Sequence, residues 1–234
     1  MNAMFKKGVL ASVLAVTASS AMAASSIDIQ VTGKILPSSC TPAFISGGGI
    51  ADFGTIKVAS LNSTTVTSLP DVKIIPISIT CEEATRIAVT FNDAHADSAP
   101  TEDVPHWSDS DFAINPPYTA GLGMYNDKPI GAYSLGMQLT KGAVTNDAGD
   151  ELYPTLSLDN GANWMNRSGN RYLQLKTDKS EIYSFSSELG GTPVPQTKVN
   201  FNVGVVAAIN PTNDLKVTDE AKLDGLTNVE LVYL

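Results

Sequence analysis

The amino-acid sequence predicts an all-β fold of the sandwich type, and three observations support this prediction. Short runs rich in Val, Ile and Thr recur along the chain and are separated by Gly, Pro, Asn and Asp. Several runs alternate apolar and polar residues, which is the pattern of a strand with one buried face. No internal repeat or linker-like tract divides the chain, so one β domain is expected after an N-terminal leader.

Several segments have the composition and length of strands. The clearest alternation places Ile75, Ile77 and Ile79 on one face together with Cys81, which is therefore expected to point into the core. Between the strands, residues 92–117 are polar, acidic and Pro-containing, and they predict a long inserted loop. The candidate strands are residues 50–58, 73–81, 85–91, 130–140, 152–158, 172–176, 198–209 and 228–234.

The first 23 residues have the features of a secretory signal peptide. Lys6 and Lys7 precede the short apolar stretch 8–18, and a small-x-small cleavage site ends at Ala23. The apolar stretch is too short to span a bilayer. Export from the cytoplasm is therefore expected, with a mature chain that starts at Ala24.

Charge and cysteine content narrow the function classes. The formal net charge is −9 at pH 7, which disfavours nucleic acid and anionic membranes as partners because their phosphates repel the chain.

Cys40 and Cys81 are the two cysteines of the sequence. In an oxidising compartment an isolated pair favours one disulfide over a metal site, which needs more ligands. In the chain-entropy model, closing this loop stabilises the fold by about 4 kcal/mol.

Both ends of the mature chain show strand-like alternation. One face of segment 27–36 is apolar and the other polar, and burying its four aliphatic side chains is worth about 6–12 kcal/mol before ordering costs. An ordinary first strand packed on its own domain would show the same pattern. The last strand alternates similarly and ends one residue before the chain does. The apolar-face positions are Ile27, Ile29, Val31, Gly33 and Ile35 at one end, and Val229, Leu231 and Tyr233 at the other.

The order and spacing of several short motifs resemble the subunits of chaperone–usher pili, and within that family the fimbrial-like branch. Residues from about 93 to 195 match no motif of this kind. The motifs are the signal peptide, Val31-x-Gly33-x-Ile35 ahead of Cys40, Asp52-Phe53-Gly54, Ile77-Ser78-Ile79-Thr80-Cys81, Val89-Thr90-Phe91 and the penultimate Tyr233.

The resemblance implies an immunoglobulin-like sandwich that lacks its final strand. Residues 1–23 would be the signal peptide, 24–37 a donor-strand extension, and 38–234 the sandwich, with an insertion at about 92–120. A periplasmic pilus chaperone would lend a strand to the vacant groove. At the outer-membrane usher, the extension of a neighbouring pilus subunit would replace that strand. The subunit would thus pass through the periplasm and end in a cell-surface fimbrium.

The resemblance also assigns roles to the residues at the two ends. Ile27, Ile29, Val31 and Ile35 would fill the groove, while Gly33 would lie where the groove is tightest. Val229, Leu231 and Tyr233 would border the groove and contact the chaperone. The chain departs from the family at Ala221, where a glycine is common, and Gly225 is the nearest candidate for that glycine. The chain is also long for a rod-building subunit, which leaves open a minor or tip position.

Three other patterns resemble functional sites but also have structural explanations. Residues 157–164 resemble the Asp-box hairpin of sialidase-like propellers, but one copy predicts only a turn.

The second pattern is the acidic loop at residues 92–117, which lacks the residue spacing of an EF-hand or a zinc site. A solvated loop is therefore expected, with a weak calcium or zinc site as the alternative. Its metal-capable residues are Asp93, His95, Asp97, Glu102, Asp103, His106, Asp109 and Asp111. In a tip adhesin a glycan-binding surface would use Trp107, Tyr118, Tyr125 and Trp164, which otherwise pack in the core or loops.

No nucleophile elbow or phosphate-binding loop supports catalysis. We therefore expect no enzyme, no cofactor and no metal, and an exported enzyme is the least favoured class. The favoured function is a structural subunit of a chaperone–usher fimbria, with adhesion to a host or surface glycan receptor as a further expectation. The alternative is a self-contained periplasmic or surface binding module of the same fold, in which the N-terminal strand folds back into its own sandwich.

Overall fold

Two antiparallel β-sheets pack face to face around one hydrophobic core, which confirms the predicted all-β sandwich. The computed structural model describes residues 27–35, 38–105, 107–167 and 171–234. The sandwich lies within residues 37–234. The signal peptide predicted for residues 1–23 lies outside the described residues.

The strands in the described part of the chain are β1 (Cys40–Phe44), β2 (Thr67–Ser68), β3 (Lys73–Thr85), β4 (Ile87–Asp93), β5 (Thr119–Gly121), β6 (Met124–Tyr125), β7 (Lys128–Pro129), β8 (Gly131–Gln138), β9 (Val144–Asn146), β10 (Tyr153–Ser157), β11 (Tyr172–Leu175), β12 (Ile182–Ser186), β13 (Gln196–Ile209) and β14 (Thr227–Tyr233). Helical structure consists of 3₁₀ turns at Gly47–Gly49, Val58–Ser60 and Ala96–Ser98, and the single-turn helix α1 (Thr212–Leu215). Across these same residues, no helix combines the length and apolar character needed to cross a membrane.

The first sheet has the order β1-β3-β13-β8-β11, and β2, β5 and β9 add short pairings to it. The second sheet has the order β10-β12-β4-β14. Strand β13 is the centre of the first sheet because it pairs with β3 along one side and with β8 along the other. The chain crosses from the first sheet to the second between β3 and β4, so these two strands line opposite sides of the core.

Most candidate strands overlap an observed one, but the strand predicted at residues 50–58 is wrong. The segment instead contains a tight turn, in which the Gly54 N–H donates a 2.7 Å hydrogen bond to Asp52 Oδ1. Gly54 has φ of +68°, which is a conformation that ends an extended run. Sequence reasoning also missed β1, which contains Pro42, and β12, whose five residues are all buried.

The predicted inward face of β3 is confirmed. Ile75, Ile77, Ile79 and Cys81 are all buried, and Ile79 is completely inaccessible to solvent. Aromatic rings fill the layer between the sheets, since Phe185 of β12 and Phe201 of β13 have ring centroids 5.3 Å apart. Burial of this kind supplies most of the free energy that holds the two sheets together.

The inserted segment between β4 and β5 is folded against the sandwich, so the expectation of a solvated loop is wrong for its centre. Val104, Trp107 and Phe112 are buried in a second apolar cluster, which includes Tyr172 of β11 and Val206 of β13. The insertion covers side chains of the first sheet that do not belong to the main core. Its acidic residues are partly internal as well, since Asp111 is buried and bonds Arg171.

Candidate functional site at the open edge

Strand β14 is paired along one side only in the described structure. Its partner is β4, with Thr227 opposite Asp93 and Tyr233 opposite Ile87. At the two ends of this ladder, the Ala94 N–H donates to Leu226 O over 2.8 Å and the Leu234 N–H donates to Arg86 O over 3.1 Å. Even-numbered residues of β14 therefore direct their backbone groups towards β4.

The alternate residues of β14 face the other way. Because backbone direction reverses at each residue, the N–H and C=O groups of Val229, Leu231 and Tyr233 point away from β4. No strand of the described residues pairs with them. These three residues were predicted from the sequence to border a groove, and the structure places them in one row on an unpaired strand edge.

Strand β1 is the corresponding edge of the first sheet. It pairs with β3 alone among the described strands. Ile45 N–H donates to Pro76 O, and Ser39 O accepts from Glu82 N–H, so the odd-numbered residues face β3. Cys40, Pro42 and Phe44 consequently present their backbone to the unpaired side. We call the unpaired sides of β1 and β14 together the open edge.

Side chains at the open edge are incompletely covered. Val229 and Leu231 pack on the core but are only partly buried, whereas Val89 and Phe91 on the neighbouring β4 are 0% and 1% exposed. Phe44 of β1 is half-exposed. The core side chains of β4 are thus shielded from solvent, whereas those of β14, one strand further out, remain partly accessible to solvent.

The two strands of the open edge meet at one end. The Cys40 N–H donates a 2.9 Å hydrogen bond to the hydroxyl of Tyr233. Cys40 is also joined to Cys81 of β3 by the predicted disulfide, which is confirmed. The Tyr233 contact spans 193 positions of sequence, and no local sequence signal predicts it.

The edges of the other outer strands are capped. Along β10, Leu156 and Met165 exchange two backbone hydrogen bonds of 3.0 and 2.9 Å. Beside β11, the Lys176 N–H donates to the hydroxyl of Tyr183 over 2.8 Å. Such capping prevents an outer strand from pairing with another chain. The open edge has no equivalent cover along Val229 and Leu231 among the described residues.

The predicted donor segment does not form a strand in this structure. Residues 27–35 have no regular secondary structure. The side chains of Ile27, Ile29, Val31 and Ile35 are 87–100% exposed. A methyl group placed on Gly33 would meet no atom within 4 Å. The role of this segment as a donor strand therefore stays a prediction.

The chain just after this segment is held on the sandwich. Ser39 O accepts from the Glu82 N–H over 3.0 Å, and Ser38 Oγ accepts from the Glu83 N–H over 3.2 Å. Residues 38 and 39 thus continue β1 along β3.

A cluster of charges links β12 to the loop before β11. Glu181 is 1% exposed and is ion-paired with Arg167 and Lys176, and it accepts a 2.7 Å hydrogen bond from Tyr183. Burial opposes ionisation of this carboxyl, but the hydrogen bonds from Arg167 and Tyr183 outweigh burial and lower its pKa below the usual value. Because every charged side chain in this cluster has a partner, we interpret the cluster as one that stabilises the fold.

The Asp-box-like segment forms the predicted turn. Asp159 accepts hydrogen bonds from Ser157 Oγ and from the Asn163 backbone N–H, at 2.7 and 2.8 Å. Hydrogen bonds from the Asn163 side chain and backbone lower the pKa of Asp159 to about 2. The hairpin lies beside the end of the chain, since a methyl group on Gly161 would be 3.5 Å from the Leu234 side chain.

The other candidate groups do not converge on one site. Among the described residues, no three His, Cys, Asp or Glu side chains come together in an arrangement that would hold a metal ion, and His106 lies outside these residues. Trp107 is buried and donates to Ala113 O. Tyr118 contacts the charged groups of Arg167 and Lys176. Tyr125 bonds Asp219, and Trp164 donates to Gly161 O in its own hairpin.

Fold and site together define an all-β sandwich with an incompletely covered edge at its last strand. Residues 29–144 match the model of a family described as "Protein of unknown function (DUF1120)". The chain is 29% identical over 228 residues to "Uncharacterized protein YhcF" of Escherichia coli (strain K12), covering 93% of this chain and 94% of the relative. It is also 29% identical over 257 residues to "Protein GltF" of the same strain, covering 98% and 99% of the two chains.

Proposed function

We propose that this chain is a structural subunit of a chaperone–usher fimbria. In this proposal, segment 27–36 of a neighbouring copy adds a strand to the open edge. The observation that supports this most directly is a row of backbone groups at Val229, Leu231 and Tyr233 that no described strand pairs with, above a core that is only partly covered. The resemblance of both chain ends to fimbrial subunits points to the same function.

An added strand would supply the backbone hydrogen-bond partners and the apolar side chains that the open edge lacks. Main-chain hydrogen bonds to β14 provide affinity, and alternate side chains of the added strand provide the register. The four aliphatic side chains of segment 27–36 are almost fully exposed in this structure, so burying them would contribute about 6–12 kcal/mol before ordering costs.

The two borders of the open edge differ as hydrogen-bonding partners. Strand β14 offers both N–H and C=O at each of its outward residues, whereas Pro42 of β1 has no N–H to donate. Antiparallel pairing is also slightly more stable per residue than parallel pairing. An added strand is therefore expected to run antiparallel to β14, with β1 as its weaker neighbour.

The same edge requires protection before assembly. An unpaired strand beside an exposed core favours aggregation, and a periplasmic chaperone that lends a strand would prevent it. Exchange for the segment of a neighbouring subunit would then follow at the outer-membrane usher. The disulfide fits an oxidising compartment, which supports export to the periplasm and then to a cell-surface fimbrium. Adhesion to a glycan stays a further expectation.

The test compares the mature chain produced in the periplasm with and without a fimbrial chaperone. We expect poor solubility alone and a 1:1 complex with the chaperone. A soluble, inert monomer with a closed edge would instead favour the self-contained binding module.

A variant pair tests the role of the N-terminal segment. Ile29→Asp places a charge on the apolar face, and Thr32→Asp places the same charge on the polar face. We expect the Ile29 variant to bind chaperone but not to join a neighbour, while the Thr32 variant polymerises. Equal polymerisation of both variants contradicts the assignment of the donor segment.

A further inference from the structure

The hydroxyl of Tyr233 connects the two sheets at one end of the open edge. Tyr233 is the last residue of β14 and Cys40 is the first residue of β1. Their 2.9 Å hydrogen bond therefore crosses from the second sheet to the first. Tyr233 occupies the same face of β14 as Val229 and Leu231, which are directed towards the core.

Both backbones at this contact are anchored, but the tyrosine ring is not enclosed. Cys40 is bonded to Cys81 through the disulfide, and the backbone of Tyr233 lies in register with Ile87. The following residue, Leu234, donates its N–H to Arg86 O. The Tyr233 residue is nevertheless 49% exposed. Rotation of the side chain can therefore break the hydrogen bond without disturbing either strand.

The Cys40 amide is one of the few donors that β1 offers to an added strand. Pro42 has no N–H, so the outward donors of β1 are those of Cys40 and Phe44. In this structure the Cys40 donor is already occupied by Tyr233. The Tyr233 ring also lies on the face of β14 that carries Val229 and Leu231, where an inward side chain of the added strand would have to pack.

We propose that Tyr233 is a latch that closes this end of the open edge until a strand is added. The inference rests on the proposed function and concerns its control. Full insertion requires the ring to swing out, after which the Cys40 N–H bonds the new strand. Tyr233 is thus a positioning residue that governs how readily a strand enters.

The test uses the mature chain, refolded by rapid dilution to a low concentration at which aggregation is slow, and a fluorescent synthetic peptide with the sequence of residues 27–36. Binding is followed by fluorescence anisotropy after rapid mixing. Tyr233→Phe keeps the ring but removes the hydroxyl, and we expect this variant to capture the peptide about five times faster, because a typical hydrogen bond has about this effect on an equilibrium. Amide exchange at Cys40 should also be faster in the unliganded variant.

A matched control is Tyr125→Phe, which removes another hydroxyl that is hydrogen-bonded, to Asp219, in the β6–β7 hairpin. This variant should capture the peptide at the rate of the unmodified protein. If Tyr233→Phe captures the peptide no faster than the unmodified protein does, the latch is refuted while strand addition stands. If no variant binds the peptide, the proposed function itself fails.

A measurement on the unmodified protein covers the case in which Tyr233→Phe does not fold. Nuclear Overhauser contacts between the Tyr233 ring and the Cys40 amide should be present without peptide and lost on binding. If these contacts persist in the peptide complex, the latch is refuted.

Discussion

The sharpest stability prediction concerns the buried carboxylate of Glu181. Glu181→Gln preserves the shape of the side chain but removes the charge that pairs with Arg167 and Lys176. Leaving a buried partner unpaired typically costs about 3–5 kcal/mol. The side chains of Arg167 and Lys176 are 27% and 22% exposed, so water can solvate them partly. We therefore expect a loss of about 2–4 kcal/mol in the free energy of unfolding.

An exposed ion pair provides the matched control. Glu230 of β14 pairs with Lys179, and both side chains are more than 40% exposed. Glu230→Gln makes the same chemical change at the surface, where such pairs contribute about 0–1 kcal/mol. Urea denaturation of both variants with the disulfide intact measures the difference, and an unchanged urea dependence would show that each change acts on stability.

The pH dependence of the free energy of unfolding provides a second, independent measure of the Glu181 contribution. The pKa of Glu181 is lower in the folded protein than its ordinary value, so its ionised form stabilises the fold. This contribution is present above the unfolded pKa of about 4.3 and is lost as pH falls through the lower folded value. The Glu181→Gln variant should therefore lose less stability over that acid range than the unmodified protein does. Equal losses in the two Glu variants at neutral pH would refute the argument from burial.

Two further changes test the packing and the disulfide of the sandwich. Gly131→Ala would place a methyl group 2.0 Å from the backbone oxygen of Ala208, and we expect it to lower the free energy of unfolding by about 1–3 kcal/mol or more, measured by thermal denaturation. The control Gly33→Ala places its methyl group in open space and should leave the melting temperature unchanged. Equal melting temperatures for the two variants would contradict this packing. Replacing Cys40 and Cys81 together by Ser should remove about 4 kcal/mol of stability, and an unfolding free energy in urea that matches the oxidised parent would contradict the chain-entropy account.

Much of the fold follows from local alternation in the sequence. The face of β3 that carries Ile77 and Ile79 is predicted correctly because one buried face forces a period of two. The same reasoning fails at residues 50–58, where the positive φ of Gly54 ends the extended backbone. It also misses β12, where the alternation of apolar and polar residues covers only positions 183–186 and is too short to stand out.

The insertion between β4 and β5 shows where amino-acid composition fails to predict structure. Its acidic residues predict a solvated loop, since charged side chains are seldom buried alone. In the structure, Asp109 and Asp111 pair with Arg171, while Trp107 and Phe112 pack on the first sheet. The partners lie some sixty residues away in sequence, so composition cannot predict the pairing.

The sequence by itself determined the sandwich class, the disulfide partners and the row formed by Val229, Leu231 and Tyr233, because each depends on local period or on residue type. Only the tertiary structure decided that no strand in the described part of the chain pairs with this row on its outer side and that Tyr233 reaches Cys40. The physical reason is that a strand edge is defined by its neighbours. Whether backbone groups are satisfied depends on which distant segments lie beside them, and the period of a single strand does not contain that information.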